Sequence, residues 1–184
     1  MCEVYVVIVG IFGGTFDPPH EGHVYIAQKL RKLLRLREVW WVVTSRNYLK
    51  SSSKYDLEKR KDLVQEVILK LQGMRVITMD SPRGYEVVQY CKNKYPSFKF
   101  IWIAGSDNMA SIHRWYRWRD FCEMVPIVFL ERAVSTYKVL KRPFASVVPR
   151  VNFSADNVCN ISRGWSIIRA RACDMSSTKI RNKL

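Results

Sequence analysis

Histidine is nearly absent from this chain: 184 residues hold three. Acidic residues are also few, 16 Asp and Glu against 31 Lys and Arg. The five cysteines (Cys2, Cys91, Cys122, Cys159, Cys173) are scattered and form no CxxC pair. An odd, dispersed set argues against a disulfide framework and a zinc site, and implies reduced, mostly packed thiols. No apolar run is long enough to span a bilayer, since "VYVVIVGIF" (4–12) falls far short of the roughly 20 residues required. The first residues, "MCEVYVV", carry neither a basic leader nor a cleavage site, so the expectation is a soluble, cytoplasmic protein. There is no internal repeat, low-complexity segment or dividing linker, and one domain over residues 1–184 is expected. A domain of that length buries roughly 70% of its unfolded surface and needs no staples.

What the chain has in excess is positive charge, +15 in all. Such a surplus attracts polyanions, whether nucleic acid, anionic membrane or nucleotide phosphates, or it is simply a solvated basic surface. The basic residues are spread from Lys29 to Lys183, and no RNA-recognition signature or zinc-finger spacing accompanies them. Charge alone leaves the function open; the expectation of no nucleic-acid and no membrane partner, despite +15, belongs to the chain read as a whole. A homo-oligomer is compatible with the sequence, which does not determine it.

Short apolar runs alternate with amphipathic ones along the chain. Strands are expected at 4–12, 38–43 ("EVWWVV"), 75–79 ("RVITM"), 98–105 ("FKFIWIAG") and 126–132 ("PIVFLER"), with further ones around 147–153 and 165–169. Helices are expected at 22–35, 56–73 with Asp56 as N-cap and Gly73 just past the end, 84–94 and 114–124, with a terminal helix beginning in "SSTKIRNKL". This alternation predicts an α/β fold, a doubly wound, Rossmann-like parallel sheet with helices on both faces. In such sheets ligands lie beyond the carboxyl ends of the strands, near the switch in strand order.

The connection from the first strand to the first helix is "GGTFDPPHEGH" (13–23), which holds two of the three histidines. Gly13 and Gly14 can adopt conformations closed to other residues and let a ligand approach the backbone. Backbone N–H groups there and at the helix start would face an anion. Pro18 and Pro19 stiffen the turn, and His20 and His23 can each offer a donor to phosphate oxygens. The loop is neither a GxxxxGK[ST] nor a GxGxxG motif. Metal ligation by the two histidines lacks a third ligand at a recognisable spacing. A purely structural turn is the remaining alternative.

The whole string resembles the signature loop of the nucleotidyltransferases that carry an HxGH motif. Over nearly its full length the chain is similar to the bacterial nicotinate-nucleotide adenylyltransferases. The resemblance implies transfer of the adenylyl group of ATP to nicotinate mononucleotide, giving deamido-NAD and pyrophosphate, with Mg²⁺ accompanying ATP. It implies that His20 and His23 bind the ATP phosphates and stabilise the transition state, beside the loop residues Gly13, Gly14, Thr15 and Phe16.

Other segments carry the same resemblance. "DMSSTKIR" (174–181) resembles an ISSTxIR box, with Met175 in place of isoleucine. Ser176, Ser177 and Thr178 can cap a helix whose N-terminus binds phosphate, and Arg181 adds a charge-assisted fork. By itself this is also an ordinary capped helix. "IAGSDN" (103–108) resembles a GxD segment, which implies that Gly105 and Asp107 contact the adenosine ribose; an Asp there is equally a common helix cap. "HRWYRWRDF" (113–121) resembles a W-x-x-W segment in which Trp115 stacks on the nicotinate ring. Trp115, Trp118 and Cys122 share helical spacing, so a core stripe is the alternative, and Trp118 is expected in the core. In "NYLKSSS" (47–53), Lys50 matches a lysine that reaches the triphosphate. Arg132 matches an arginine near the adenine.

One segment departs from the family. Where relatives carry a threonine-rich "YTxxTL" that holds the nicotinate carboxylate, this chain reads "RGYEVV" (83–88). Tyr85, Arg83 or backbone amides are the available substitutes. Two rivals stand beside this reading. One is a related adenylyl- or cytidylyltransferase with another acceptor, such as nicotinamide mononucleotide or phosphopantetheine. The other is a basic nucleic-acid-binding module, motivated by +15 and the Trp–Arg interleaving of 113–119.

Overall fold

The computed structural model describes residues 6–44, 54–79, 83–131 and 143–169. Six strands form one sheet: β1 (Ile8–Gly14), β2 (Glu38–Val43), β3 (Met74–Ile77), β4 (Lys99–Gly105), β5 (Ile127–Leu130) and β6 (Trp165–Ile168). Their order is β3-β2-β1-β4-β5-β6, and every neighbouring pair is parallel. This is the strand order of the doubly wound dinucleotide-binding sheet.

The strands are β-branched and aromatic on both faces because both faces are covered. Trp40 and Val42, Val9 and Ile11, Phe100, Trp102 and Ala104, and Ile127 and Phe129 point into one core with α3 (Gly84–Lys94), α4 (Trp118–Met124) and α5 (Pro143–Val147). The alternate residues Val39, Trp41 and Val43, Ile101 and Ile103, and Val128 and Leu130 face a second core with α1 (Glu21–Leu33) and α2 (Leu57–Ile68). Helices on both faces are thus a consequence of period-two alternation in strands with no polar side.

Strand order reverses between β1 and β4, and there the ladder opens. Their paired register runs from Ile8 with Lys99 to Ile11 with Trp102, whereas β1 continues to Gly14 and β4 to Gly105. The loops after β1 and β4 therefore leave the carboxyl edge on either side of a split.

Several boundaries differ from the sequence-based expectation. β1 begins at Ile8 and runs two residues further than expected, to Gly14. α2 uses Asp56 as N-cap, its Oδ1 accepting from the Lys59 N–H at 2.8 Å, but ends at Ile68. Gly73 lies beyond it at φ +71°, in the turn into β3. Residues 114–124 are not one helix: a 3-10 turn (Ile112–Arg114) is followed by Arg117 at φ +48°, and only then does α4 begin. The expected strand at 147–153 reduces to the end of α5 and an isolated parallel bridge from Arg150 to Trp165. The expected terminal helix in "SSTKIRNKL" lies outside the described residues.

Candidate active site

The β1–α1 loop is built around reciprocal capping. His20 is the N-cap of α1, with extended backbone, and its Nδ1 accepts from the Gly22 N–H at 3.1 Å. His23, in the first turn, accepts from the His20 N–H through its own Nδ1 at 3.2 Å. The two imidazoles lie 3.7 Å apart between centroids. A nitrogen that accepts from an amide carries no proton, so both neutral rings hold their proton on Nε2. Nε2–H is then a donor on each ring, which is what a phosphate oxygen requires.

Aromatic packing supports that turn. Phe16 sits at φ +44°, buried, with its ring 5.0 Å from His23 and 5.0 Å from Trp41. A non-glycine residue held left-handed costs of order 1–3 kcal/mol, which the surrounding packing has to offset. A nucleotide contact at Phe16 would accordingly come from its main chain. Gly13 and Gly14 do not use the conformations open only to glycine. Neither has positive φ; both end β1 in strand conformation. A Cβ at Gly13 would lie 2.5 Å from Trp102 Cζ2, and one at Gly14 would lie 3.1 Å from Phe16 Cζ. These glycines make room for the protein's own rings.

Beneath the loop lies a group that sequence reasoning passed over. Arg60 of α2 is 1% exposed. Its Nη1 donates to the carbonyls of Thr15 (2.7 Å) and Thr44 (2.8 Å), and its Nε to those of Tyr55 and Asp56 (3.2 Å each). Desolvation pulls its pKa below the ordinary value, against the opposing fields of Asp17 and Asp56. Asp17 in turn accepts from the backbone N–H groups of Lys54 (2.9 Å) and Tyr55 (3.1 Å). The signal was present in the sequence: Arg60, Val64 and Ile68 form the buried i, i+4, i+8 stripe of α2.

Across the split, β4 ends in buried Gly105, and buried Ser106 and exposed Asp107 open a 3-10 turn (Ser106–Ala110). Trp115 lies past that turn, half-buried, 5.8 Å from Trp102 and 5.6 Å from Phe121 between ring centroids. The N-terminus of α3 abuts it, since a Cβ at Gly84 would meet Trp115 Cε3 at 3.4 Å. Trp115 and Trp118 do not share a helix, because left-handed Arg117 separates them. Trp118 is half-buried at the margin of the core rather than inside it. In the place of the missing threonines stands an interleaved set. The Arg83 guanidinium lies 4.5 Å from the Tyr116 ring centre and that of Arg117 4.3 Å from Tyr85, while the two phenol rings meet edge-on at 6.3 Å.

Lys50, Arg132, Ser176, Ser177, Thr178 and Arg181 lie outside the described residues. Among the described residues no group of three or more His, Cys, Asp or Glu side chains comes together as a metal cage. Among them, too, no helix is long and apolar enough to cross a membrane.

An open switch point in a 3-2-1-4-5-6 sheet, with a paired-histidine loop on one bank and a Gly-x-Asp turn on the other, defines a nucleotide-handling α/β domain. The model of the cytidylyltransferase-like family matches residues 11–183. "Probable nicotinate-nucleotide adenylyltransferase" of Agrobacterium fabrum is 32% identical over 184 residues, covering 96% of this chain and 98% of that one. The protein of the same name from Ruegeria pomeroyi is 31% identical over 182 residues, 95% of this chain and 85% of that one. The solved structure of Plasmodium falciparum nicotinic acid mononucleotide adenylyltransferase complexed with NaAD shares the fold, with a TM-score of 0.70 at 18% identity over 95% of this chain and 82% of that one. The chain belongs to the nicotinate-nucleotide adenylyltransferase family.

Proposed function

We propose that this protein is a single nucleotidyltransferase domain that joins the adenylyl group of ATP to nicotinate mononucleotide, giving deamido-NAD and pyrophosphate in NAD biosynthesis. The observation that carries the reading is the reciprocal capping of His20 and His23, which sets both Nε2–H groups as donors at the switch point. A phosphate oxygen of nicotinate mononucleotide attacks the α-phosphorus of ATP in line. The bond from that phosphorus to the bridging oxygen breaks, and pyrophosphate leaves with the electron pair. The nucleophile is ionised at neutral pH, so no general base is needed, and catalysis rests on orientation and on donors aimed at developing charge.

In this reading His20 and His23 face the transferring phosphates, with Lys50, Arg181, Ser176, Ser177 and Thr178 completing the triphosphate site. The backbone from Gly13 to Phe16, with Gly105, Asp107 and Arg132, receives the rest of ATP. Trp115 and Tyr85 receive the nicotinate nucleotide. The described residues build no cage for Mg²⁺. The ion would be held by triphosphate oxygens and water, as Mg²⁺ commonly is, and would neutralise phosphate charge. A cytoplasmic location, where ATP is abundant, goes with the same reading, and the +15 charge serves anionic substrates rather than nucleic acid.

The test is pyrophosphate release from ATP and Mg²⁺ with nicotinate or nicotinamide mononucleotide supplied separately. Turnover with the acid form alone is expected. Equal turnover with the amide would make the enzyme one of relaxed specificity. Turnover with neither, but with phosphopantetheine, would transfer the assignment to another acceptor.

A further inference from the structure

We propose that Arg60 is a positioning residue of this reaction: its buried guanidinium fixes the loop that delivers His20 and His23, without touching substrate. The claim of catalytic consequence rests on the adenylyl-transfer reading; the claim about the loop rests on geometry alone. Position 60 belongs to the buried stripe of α2, where Val64 and Ile68 follow it at helical spacing. That stripe calls for an aliphatic residue. A guanidinium there loses its hydration and must recover the loss from partners inside the protein.

Its partners are not those that α2 alone would need. Tyr55 and Asp56 precede the helix, Thr44 follows β2, and Thr15 follows β1. The start of the β1–α1 connection and both ends of the β2–α2 connection thus converge on one planar group. The Thr44 N–H also donates to Gly14 O at 2.9 Å, which ties the ends of β1 and β2 directly. Asp17 closes the circuit from the other side by accepting from Lys54 and Tyr55. From Thr15 through Arg60 to Tyr55, and from Tyr55 back to Asp17, the bonds form a ring. Three residues after Asp17 comes His20, whose backbone starts α1 and whose Nδ1 caps it.

A guanidinium suits this role and an ammonium does not. Its nitrogens diverge in a fixed plane, so Nη1 can hold the Thr15 and Thr44 carbonyls while Nε holds Tyr55 and Asp56. A lysine would reach one side only. Misplacement of a reacting group by about 1 Å can cost on the order of 100-fold in rate, so loosening this ring is expected to act on turnover.

The experiment compares wild type with Arg60→Lys and Arg60→Ala by steady-state pyrophosphate release and by residue-resolved amide exchange. In Arg60→Lys, kcat is expected to fall roughly 10- to 100-fold, with KM for nicotinate mononucleotide within about twofold. The His20 and Gly22 amides should exchange about tenfold faster, while strand amides such as Val42 hold their rates. Guanidinium ion at low millimolar concentration should restore part of the Arg60→Ala turnover. A merely structural residue would behave otherwise. Turnover per folded molecule would stay at the wild-type value and protection would fall evenly over the domain, and that result would overturn the proposal. If both variants fail to fold, Asp17→Asn opens the same ring more gently; unchanged His20 and Gly22 exchange in it would also overturn the proposal. Wild-type protein that releases no pyrophosphate would defeat the functional reading instead, and the exchange data would still decide the positioning claim.

Discussion

His20 and His23 each give Nδ1 to a backbone amide of the same helix start, and their rings face each other at 3.7 Å. Under the proposed function one pair of side chains does two things that are usually separate. The Nδ1 atoms satisfy N–H groups that the first turn of a helix leaves without intrahelical partners, and in doing so they fix the proton on Nε2. In the function proposed above, capping and phosphate binding are linked through the tautomer.

The two tasks can be separated by substitution. Asn is among the best N-caps, whereas Ala loses the cap at about 1 kcal/mol. His20→Asn should therefore keep Tm within about 2 °C of wild type, while His20→Ala lowers it by roughly 2–4 °C for a domain of this size. Both should lose about 10²–10³-fold in kcat, the usual effect of removing one donor to developing charge. Thermal melts and pyrophosphate release on the same samples check this. An Asn variant with kcat near wild type would remove His20 from the reaction and leave it a cap.

Gly13 and Trp102 should be coupled. The indole occupies the space a Cβ at position 13 would need, and overpacking of this kind typically costs about 1–3 kcal/mol. Gly13→Ala is expected to lose stability in that range by urea unfolding. Adding Trp102→Leu, which is destabilising alone, should make the Ala nearly neutral, a coupling above about 0.5 kcal/mol in a double-mutant cycle. Strict additivity would mean that the glycine is required by something other than the ring.

Trp115 offers a test of the acceptor side. It packs on Trp102 and Phe121, yet remains half-buried. Trp115→Phe retains a ring for that packing. If the exposed part of the indole receives the nicotinate ring, KM for nicotinate mononucleotide should rise roughly 3- to 10-fold, the equivalent of an aromatic contact of about 0.5–1.5 kcal/mol. KM for ATP should stay within twofold. A drop in Tm with both KM values unchanged would make Trp115 a core residue only.

Strand–helix alternation, the β2 and α3 boundaries and the Asp56 cap were legible in the sequence because each depends on local chemistry. What was not legible depended on contacts between distant segments. Residues 114–124 have helical spacing, but the left-handed turn at Arg117, with its guanidinium bonded to Asp120 at 2.7 Å and stacked on Tyr85, breaks the run. The close approach of the Trp102 ring to Gly13 follows only from the β1–β4 neighbourhood. Arg60 was hidden among 31 basic residues, although its place in an apolar stripe distinguishes it from a solvated one. The histidine loop is the reverse case: eleven consecutive residues carry the candidate site in the sequence, and the reciprocal Nδ1 capping is what the structure adds.

The buried thiols make a prediction for alkaline solution. Burial pushes Cys91 up to about 11, and burial followed by the field of Glu123 pushes Cys122 up to about 12, with Arg163 opposing. In the unfolded chain a cysteine loses its proton near 8.5. Below that pH both states hold the proton and these thiols add no pH dependence. Above it the unfolded chain releases protons that the folded chain retains, so stability falls as pH climbs from about 9 towards 11, by up to about 1.4 kcal/mol per pH unit for each thiol. Urea midpoints at pH 7.5, 9 and 10 should decline accordingly. In Cys91→Ala/Cys122→Ala the midpoint should start lower, because two buried side chains are trimmed, and should decline less steeply. Iodoacetamide at pH 8 should leave both cysteines of the folded protein unmodified and label them once urea unfolds it. Equal slopes in the two proteins would show that lysine and tyrosine titration, not these thiols, governs the alkaline limit.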